Sequence, residues 1–315
     1  MEERKQHMAK NHPDAVADTD DGAIHPDTRT SLFLPSPLLA DCVCAYVGRD
    51  TLGAQLSPKQ SFSHLPVSPL VSIVWLIQGG RSSMHIEGDE LPPSSRRVVL
   101  RGPRARPSVW QDRGPAAVFS LTLFPDAFHA LTKLNVASLL DQAKSLQSVL
   151  DKEWQKMAVA VLKAGNDLAR IQIVEAFLMP RWTPLRVQQP ETMLSDGLTL
   201  FNDWVDAAAL RASASMPTHS TRQRERLTKG KLGLPLRALH GLVRMESTLT
   251  RGHASNAFGG QSLVDVAHTM GFSDQAHFSR EVKRFSGLSP TALQRAIETQ
   301  ESYWPYRLRQ ALKLR

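Results

Sequence analysis

Cysteine is nearly missing from this chain: among 315 residues there are two, Cys42 and Cys44, one residue apart. Two thiols so placed cannot build a disulfide framework, which fits a reducing compartment and predicts a cytoplasmic protein. Long apolar runs are missing as well. No stretch of about 18 apolar residues occurs, so neither a transmembrane helix nor a membrane partner is expected. Residues 1–22 carry charge without an apolar centre; they read as the start of a disordered tail over residues 1–28 and not as a secretory signal. A glycine-rich nucleotide loop, the surroundings of a catalytic triad and a paired-carboxylate motif are also lacking, so the expectation is no enzyme and no cofactor. There is no internal repeat of fixed period.

Positive charge is absent as an excess from the first two thirds and concentrated in the last third. The chain carries a net +8. Residues 216–315 hold 16 Lys and Arg against 7 Asp and Glu, a net +9, which leaves −1 for the first 215 residues. Such asymmetry predicts that the C-terminal part meets a polyanion and the N-terminal part does not. With 42% hydrophobic and 22% charged residues the chain reads as globular, and its length suits two domains, each with its own core.

From about residue 32 to residue 124 the sequence is rich in Pro, Gly, Ser and β-branched residues. Apolar runs over residues 70–77 and 117–123 suit strands, and the turn signals Gln78-Gly79-Gly80, Glu87-Gly88-Asp89, Pro92-Pro93 and Arg113-Gly114-Pro115 bound them. A β-sandwich or barrel is expected over residues 29–125. From Pro125 the texture turns helical: Leu139, Leu140, Leu146, Val149, Leu150, Trp154, Met157, Ala158, Val161 and Leu162 recur at threes and fours. Pro180, Pro184 and Pro190 then punctuate a connector that ends a helical linker over residues 126–190, and a second helical set begins near Met193.

The most informative stretch runs from Ser262 to Pro290. Ser262 is placed to cap a helix whose Leu263, Val266, Ala267 and Met270 form one apolar stripe, and Gly271 stops it. Ser273 or Asp274 caps a second helix that buries Phe278, Val282 and Phe285, and Gly287 ends it. Pro290 then opens another helix. Two short helices joined by a glycine turn make a helix-turn-helix. Projected at 100° per residue, the second helix turns Ala276, Ser279, Arg280 and Lys283 away from Phe278 and Val282, and Gln275 lies at its N-terminal end; Gln275, Ala276, Ser279 and Arg280 suit base edges: Gln to adenine, Arg to guanine, Ala or Ser to a thymine methyl. His277, Lys283 and Arg284 flank them at phosphate positions. The alternative is a solvated amphipathic helix pair, but cap, turn, buried face and basic outer face agree with one another.

The segment from Ser262 to Pro290 resembles the second helix-turn-helix of the AraC/XylS family of transcription regulators. That resemblance implies an all-α DNA-binding domain with two such motifs, here over residues 193–297, whose two recognition helices enter successive major grooves of double-stranded promoter DNA. The first motif would lie over residues 220–229, before Leu232-Gly233-Leu234-Pro235, with Arg222, Glu225 and Arg226 toward bases and Lys229 toward phosphate. Pro235 would open the connecting helix with Leu236, Leu239, Leu242, Val243 and Leu249 on its apolar face. This half departs from the pattern, because Arg224 and Thr228 stand where apolar residues are usual. Either the helix turns to bury Leu227, or the half packs loosely.

The resemblance further implies a mostly β, cupin-like N-terminal domain for sensing or oligomerisation, so the expected fold class is α+β. Partners implied are a small-molecule effector, a second copy in a homodimer and, for an activator, RNA polymerase. Trp75 and Trp110 are candidates for an effector pocket, against the commoner use of such residues in a core. His64, His85, Glu87 and His129 lack cupin ligand spacing, and no metal is expected. Leu139, Leu140, Leu146, Val149 and Leu150 suit a dimer seam or packing onto the β domain equally. Residues 298–315, with Tyr303, Trp304, Arg307, Arg309, Lys313 and Arg315, read as a basic tail that either touches phosphates or lies solvated. Two rival readings stay open: a β-barrel metal protein or enzyme with a helical appendage, and a DNA-repair or redox-sensing protein working through Cys42 and Cys44.

Overall fold

A computed structural model describes residues 21–86, 89–90, 97–186, 200–214, 220–254 and 272–313. The N-terminal region is one antiparallel sheet. Its strands are β1 (Arg29–Phe33), β2 (Val43–Asp50), β3 (Phe62–Leu65), β4 (Val71–Ile86), β5 (Asp89–Glu90), β6 (Val98–Arg101), β7 (Ser108–Leu123) and β8 (Ala143–Ser145). The order across the sheet is β1-β2-β7-β4-β6-β8, with β3 paired to β7 and β5 paired to β4. Among the described residues the strand path is open, running from β1 to β8.

The expected apolar runs are strands, but they do not stop at the expected turns. β4 and β7 are each 16 residues long and run through Gln78-Gly79-Gly80 and Arg113-Gly114-Pro115. The register between them slips at Leu76/Gln78 and at Gly79/Arg81. Extra residues on one strand of a ladder bend it, which is what these glycines permit. Gly79 has φ +81°, and a Cβ there would lie 2.1 Å from the Pro115 carbonyl oxygen.

Strand alternation sends every second residue to one face. Tyr46, Ile73, Trp75, Phe119, Leu121 and Leu123 are fully buried on the face that meets the helices. Those helices are α1 (Pro125–Thr132), α2 (Lys152–Lys163) and α3 (Asp167–Arg186). Asp151 caps α2 by accepting from the Glu153 and Trp154 amides. The connector expected around Pro180 and Pro184 is instead the last third of α3. An interior proline costs about 3 kcal/mol. Val174, Leu178 and Trp182 repeat every four residues, all buried, and Trp182 donates to Asp41 Oδ1 at 2.8 Å, so packing beyond the prolines outweighs that cost.

The C-terminal region is helical: α4 (Leu200–Ala214), α5 (Thr221–Leu232), α6 (Leu236–Ala254), α7 (Gln275–Ser286), α8 (Pro290–Thr299) and α9 (Trp304–Lys313). The expected pair of separate cores is corrected here. One continuous buried cluster runs from Tyr46 and Trp75 through Phe128 and Trp204 to Phe278 and Tyr306. Trp204 of α4 stacks on Phe124 and donates to Asp126 Oδ1 at 2.7 Å. Gly233 after α5 lies against Pro103 and Val136. Leu139, Leu146 and Leu150 are buried in the same cluster, with Leu140 and Val149 half-buried against it. They pack onto the β module.

The expected basic tail over residues 298–315 is corrected over its described part, and of the expected tail over residues 1–28 only residues 21–28 are described. Residues 301–313 are ordered helix, with Tyr303, Tyr306 and Gln310 buried. Arg307 donates to the Ile297 and Gln300 carbonyls, and Arg309 to that of Val67. At the other end, Ala23 pairs with Gln300 and His25 N–H donates to Glu301 Oε2 at 3.0 Å. Aromatic area on one face of α9 supplies the burial that a solvated tail would forgo.

Candidate nucleic-acid interface

The second motif's first helix, expected from Ser262 to Met270, lies outside the described residues. Its turn and second helix are described. Phe272 is buried against Phe278, with ring centroids 5.3 Å apart. Asp274 caps α7 by accepting from the His277 amide at 2.6 Å, and that bond, helped by Ser273 and Arg280, holds its carboxyl below the ordinary aspartate range. Gly287 closes α7 in the left-handed conformation at φ 85°. Phe278, Val282 and Phe285 are buried at 0%, 0% and 3% exposure, which fixes the roll of the helix.

That roll decides what faces solvent. Gln275, Ala276, Arg280, Lys283 and Arg284 are exposed, while His277 and Ser279 are half-buried. His277 packs edge-on against Phe272 and shares a 3.1 Å hydrogen bond with the Ser273 hydroxyl. Arg284 is tied to Glu281 at 2.6 Å. Pro290 opens α8, whose cap Ser289 accepts from the Ala292 amide.

α5 carries the first motif. Ser220 caps it, accepting from the Gln223 amide, and Gly233 ends it at φ 78°. Arg222, Glu225, Arg226 and Lys229 are all exposed. Thr228 and Leu232 are buried, while Arg224 and Leu227 are both half-buried. The helix therefore neither swings Leu227 into the core nor buries the arginine. It rests on Thr228, and its docking surface is the Val136–Leu139 turn and α1 of the β module. α6 follows, with Leu239, Leu242 and Met245 buried and Leu236 and Val243 half-buried; the side chain of Leu249 lies outside the described residues.

The remaining candidates scatter. Trp110 lines a cavity on the second face of the sheet, but Trp75 does not. Trp75 is fully buried on the opposite face, beside Phe119, and donates to the Ala158 carbonyl at 3.1 Å, so its ring is used up in the core. His64 stacks on Tyr303 at 4.4 Å, and His129 bonds the Leu134 carbonyl at 2.7 Å. Glu87 lies outside the described residues, and His85 sits opposite Glu90 in the β4–β5 pair. Among the described residues no three His, Cys, Asp or Glu side chains gather as metal ligands. Cys42 is buried, and that burial, then Asp41 and Asp126, push its thiol far up from its ordinary range; Cys44 is half-buried. Such a thiol is not a ready nucleophile.

Three residues that sequence reasoning passed over stand out, Arg49, Arg101 and Glu301, and with them Trp304, which it placed only in a basic tail. Arg49 and Glu301 form an ion pair with side-chain exposures of 10% and 1%. Glu301 is a lone carboxylate among Tyr303, Trp304 and Tyr306, a pattern at helical spacing that could have marked a packed element.

The architecture is that of a β-rich module joined to a helix-turn-helix domain. A family model described as a helix-turn-helix domain matches residues 214–296. This segment is similar to the helix-turn-helix domains that the family model describes. No curated protein matches the chain. Solved structures similar to it include three of ToxT from Vibrio cholerae. An apo variant from strain SCE256 is 10% identical, with 86% of this chain and 97% of that one covered and a TM-score of 0.34. ToxT from strain O395 is 10% identical over 85% and 97%, with a TM-score of 0.32. Wild-type ToxT bound to an unsaturated fatty acid is 12% identical over 76% and 94%, with a TM-score of 0.33. Among the described residues no helix is long and apolar enough to cross a membrane.

Proposed function

We propose that this protein is a sequence-specific transcription regulator that reads promoter DNA with α7 and, beside it, α5. Gln275, Ala276, Ser279 and Arg280 would meet base edges, with Arg222, Glu225 and Arg226 doing the same from α5. His277, Lys283, Arg284 and Lys229 would hold phosphates. The observation that carries the reading is the roll of α7: its apolar side is consumed by the core, so its basic side is left to solvent. A solvated helix pair accounts for neither the cap and turn chemistry nor the +9 confined to this region.

Control by the N-terminal module has a route. Val67 N–H donates to the Phe285 carbonyl at 3.2 Å, so a loop of the sheet grips the C-terminal end of α7. Arg309 donates to the Val67 carbonyl from the other side. A change in the module reaches the reading helix through the Val67–Phe285 bond, and α9 through the Arg309–Val67 bond. The working compartment would be the cytoplasm, and a homodimer and RNA polymerase remain the partners to seek.

The test is binding to a promoter site selected from a random duplex library. Arg280→Ala is expected to cost about 1–3 kcal/mol on the selected site and to relax preference at one base pair. Lys283→Ala is expected to weaken all sequences alike and lower the salt slope by about 1. A uniform loss with Arg280→Ala would move that residue to the phosphates; unchanged binding with both would end the reading.

A further inference from the structure

The second face of the sheet, opposite the core, lines a cavity. Strand alternation builds its wall from pairs two residues apart: Val47 and Arg49 of β2, Val74 and Leu76 of β4, Val99 and Arg101 of β6, Val118 and Ser120 of β7. Apolar side chains thus line a space that also receives three guanidinium groups, those of Arg49, Arg97 and Arg101, against one carboxylate, Asp112.

Two of the three arginines are occupied. Arg97 donates to the Leu76 and Ile77 carbonyls, and Arg49 to Glu301 and to Thr30. Asp112 already accepts from the Trp110 indole at 3.0 Å. Arg101 is different. Its guanidinium lies 3.7 Å over the Trp110 ring, and its Nε is buried without a hydrogen-bond partner. A shielded Nε–H lacking an acceptor costs free energy that a carboxylate would recover through charge-assisted bonds, since Asp112 acts on Arg101 only through its charge. Burial pushes the Arg101 guanidinium down to about 10, against the opposing pull of the Asp112 carboxylate. Arg104, pushed down to about 9 by burial and then by Arg101 and Arg309, feels the same excess of positive charge.

We propose that this cavity binds a small organic monoanion, a carboxylate on an apolar body, with Arg101 as its anchor, and that filling it unseats Trp304. The lining sets the ligand class: aliphatic walls exclude a strongly hydrated inorganic ion, and Asp112 opposes a second negative charge. The size sets the consequence. The cavity holds about 70 Å³, roughly half the 150 Å³ that accommodates benzene in an engineered protein cavity. One wall must therefore give. Most of the lining is strand, held by ladder bonds. Apart from Arg97, which directly precedes β6, Trp304 alone comes from outside the strands, at the start of α9, and its indole is held by one hydrogen bond to Ser63 Oγ at 2.8 Å and by Arg49 at 4.6 Å from the ring. Its displacement loosens residues 300–313 from the sheet. Any effect on DNA rests on the regulator reading above, but the site itself does not.

The experiment uses the full chain without DNA, so failure here is distinct from failure of DNA recognition. Benzoate and hexanoate, each beside its neutral amide, are titrated while tryptophan fluorescence is followed, and hydrogen exchange is read over residues 300–313. Saturable binding in the millimolar range or below is expected for at least one carboxylate, with its amide roughly tenfold weaker or worse. Bound carboxylate is expected to raise exchange over residues 300–313. Arg101→Met is expected to weaken the carboxylate by about tenfold or more without lowering the melting temperature, because it replaces an unmet buried charge by an apolar chain of similar length. Acid and amide binding alike, no saturation by either carboxylate, unchanged affinity in Arg101→Met, or unaltered exchange over residues 300–313 would each overturn the proposal.

Discussion

Glu301→Gln removes one charge from the junction between sheet and C-terminal helices while keeping its shape. The carboxylate accepts from Arg49, from the His25 amide at 3.0 Å and from the Thr28 hydroxyl at 3.1 Å, and Arg307 stands 3.7 Å away. Its side chain is 1% exposed, and that of Arg49 is 10% exposed. The glutamine can still bond His25 and Thr28, but it leaves the Arg49 guanidinium shielded and uncompensated. Breaking a buried pair from one side costs about 3–5 kcal/mol. The unfolding entropy is about 2.1 cal/mol/K per residue, which for a chain of 315 residues turns that cost into a fall in melting temperature of roughly 5–8 °C. Because the buried cluster is continuous, one thermal transition is expected by circular dichroism or calorimetry, shifted as a whole.

The pH dependence carries a sign. Burial pushes the Glu301 carboxyl up, but the Arg49 charge and hydrogen bond, with His25 and Thr28, outweigh it and leave the group below its ordinary 4.5. A depressed carboxyl adds stability that is present above the unfolded value and lost as pH falls through the folded one. The gap between native protein and Glu301→Gln is therefore expected to be constant at neutral pH and to close as the solution is acidified below about pH 4.5. Replacing both partners by Arg49→Met and Glu301→Leu should recover part of the loss. A shift of less than about 2 °C, or a gap indifferent to acid, would refute the idea that this ion pair is a buried fastening.

Gly102→Ala should destabilise the protein by about 1–3 kcal/mol or more, read as a lower urea midpoint, since the new Cβ would sit 1.9 Å from the Leu139 carbonyl oxygen; an unchanged midpoint would show that the residue 139 turn yields freely. Cys42 should resist thiol reagents at pH 8 in the folded protein and react once denaturant is added, because burial holds its thiol far up from the reactive range. Rapid labelling of native Cys42 would revive a redox role.

Legibility in the sequence followed the range of the interactions. The strands over residues 70–77 and 117–123, a cap at Ser273 or Asp274, the helix opened by Pro290, the terminating Gly287 and the buried triplet Phe278, Val282 and Phe285 all come from contacts within one element, where periodicity and cap chemistry are direct signals. α3 misled because local rules end a helix at Pro180, while Trp182 reaches Asp41 across the fold. Trp75 and Trp110 looked equivalent, yet strand parity sends one to the core and leaves the other at the cavity.

By itself the sequence determined that a basic helix-turn-helix closes the C-terminal part behind a β-rich region, since charge asymmetry and a local motif need no partner to be recognised. Only the tertiary structure decided that residues 301–313 are an anchored helix, that Arg49 meets Glu301 across more than 250 positions, and that the two regions share one core. The physical reason is that burial of charge and aromatic area is a property of what surrounds a residue. A lone carboxylate beside three aromatic rings has the same local pattern whether it lies in water or under a sheet.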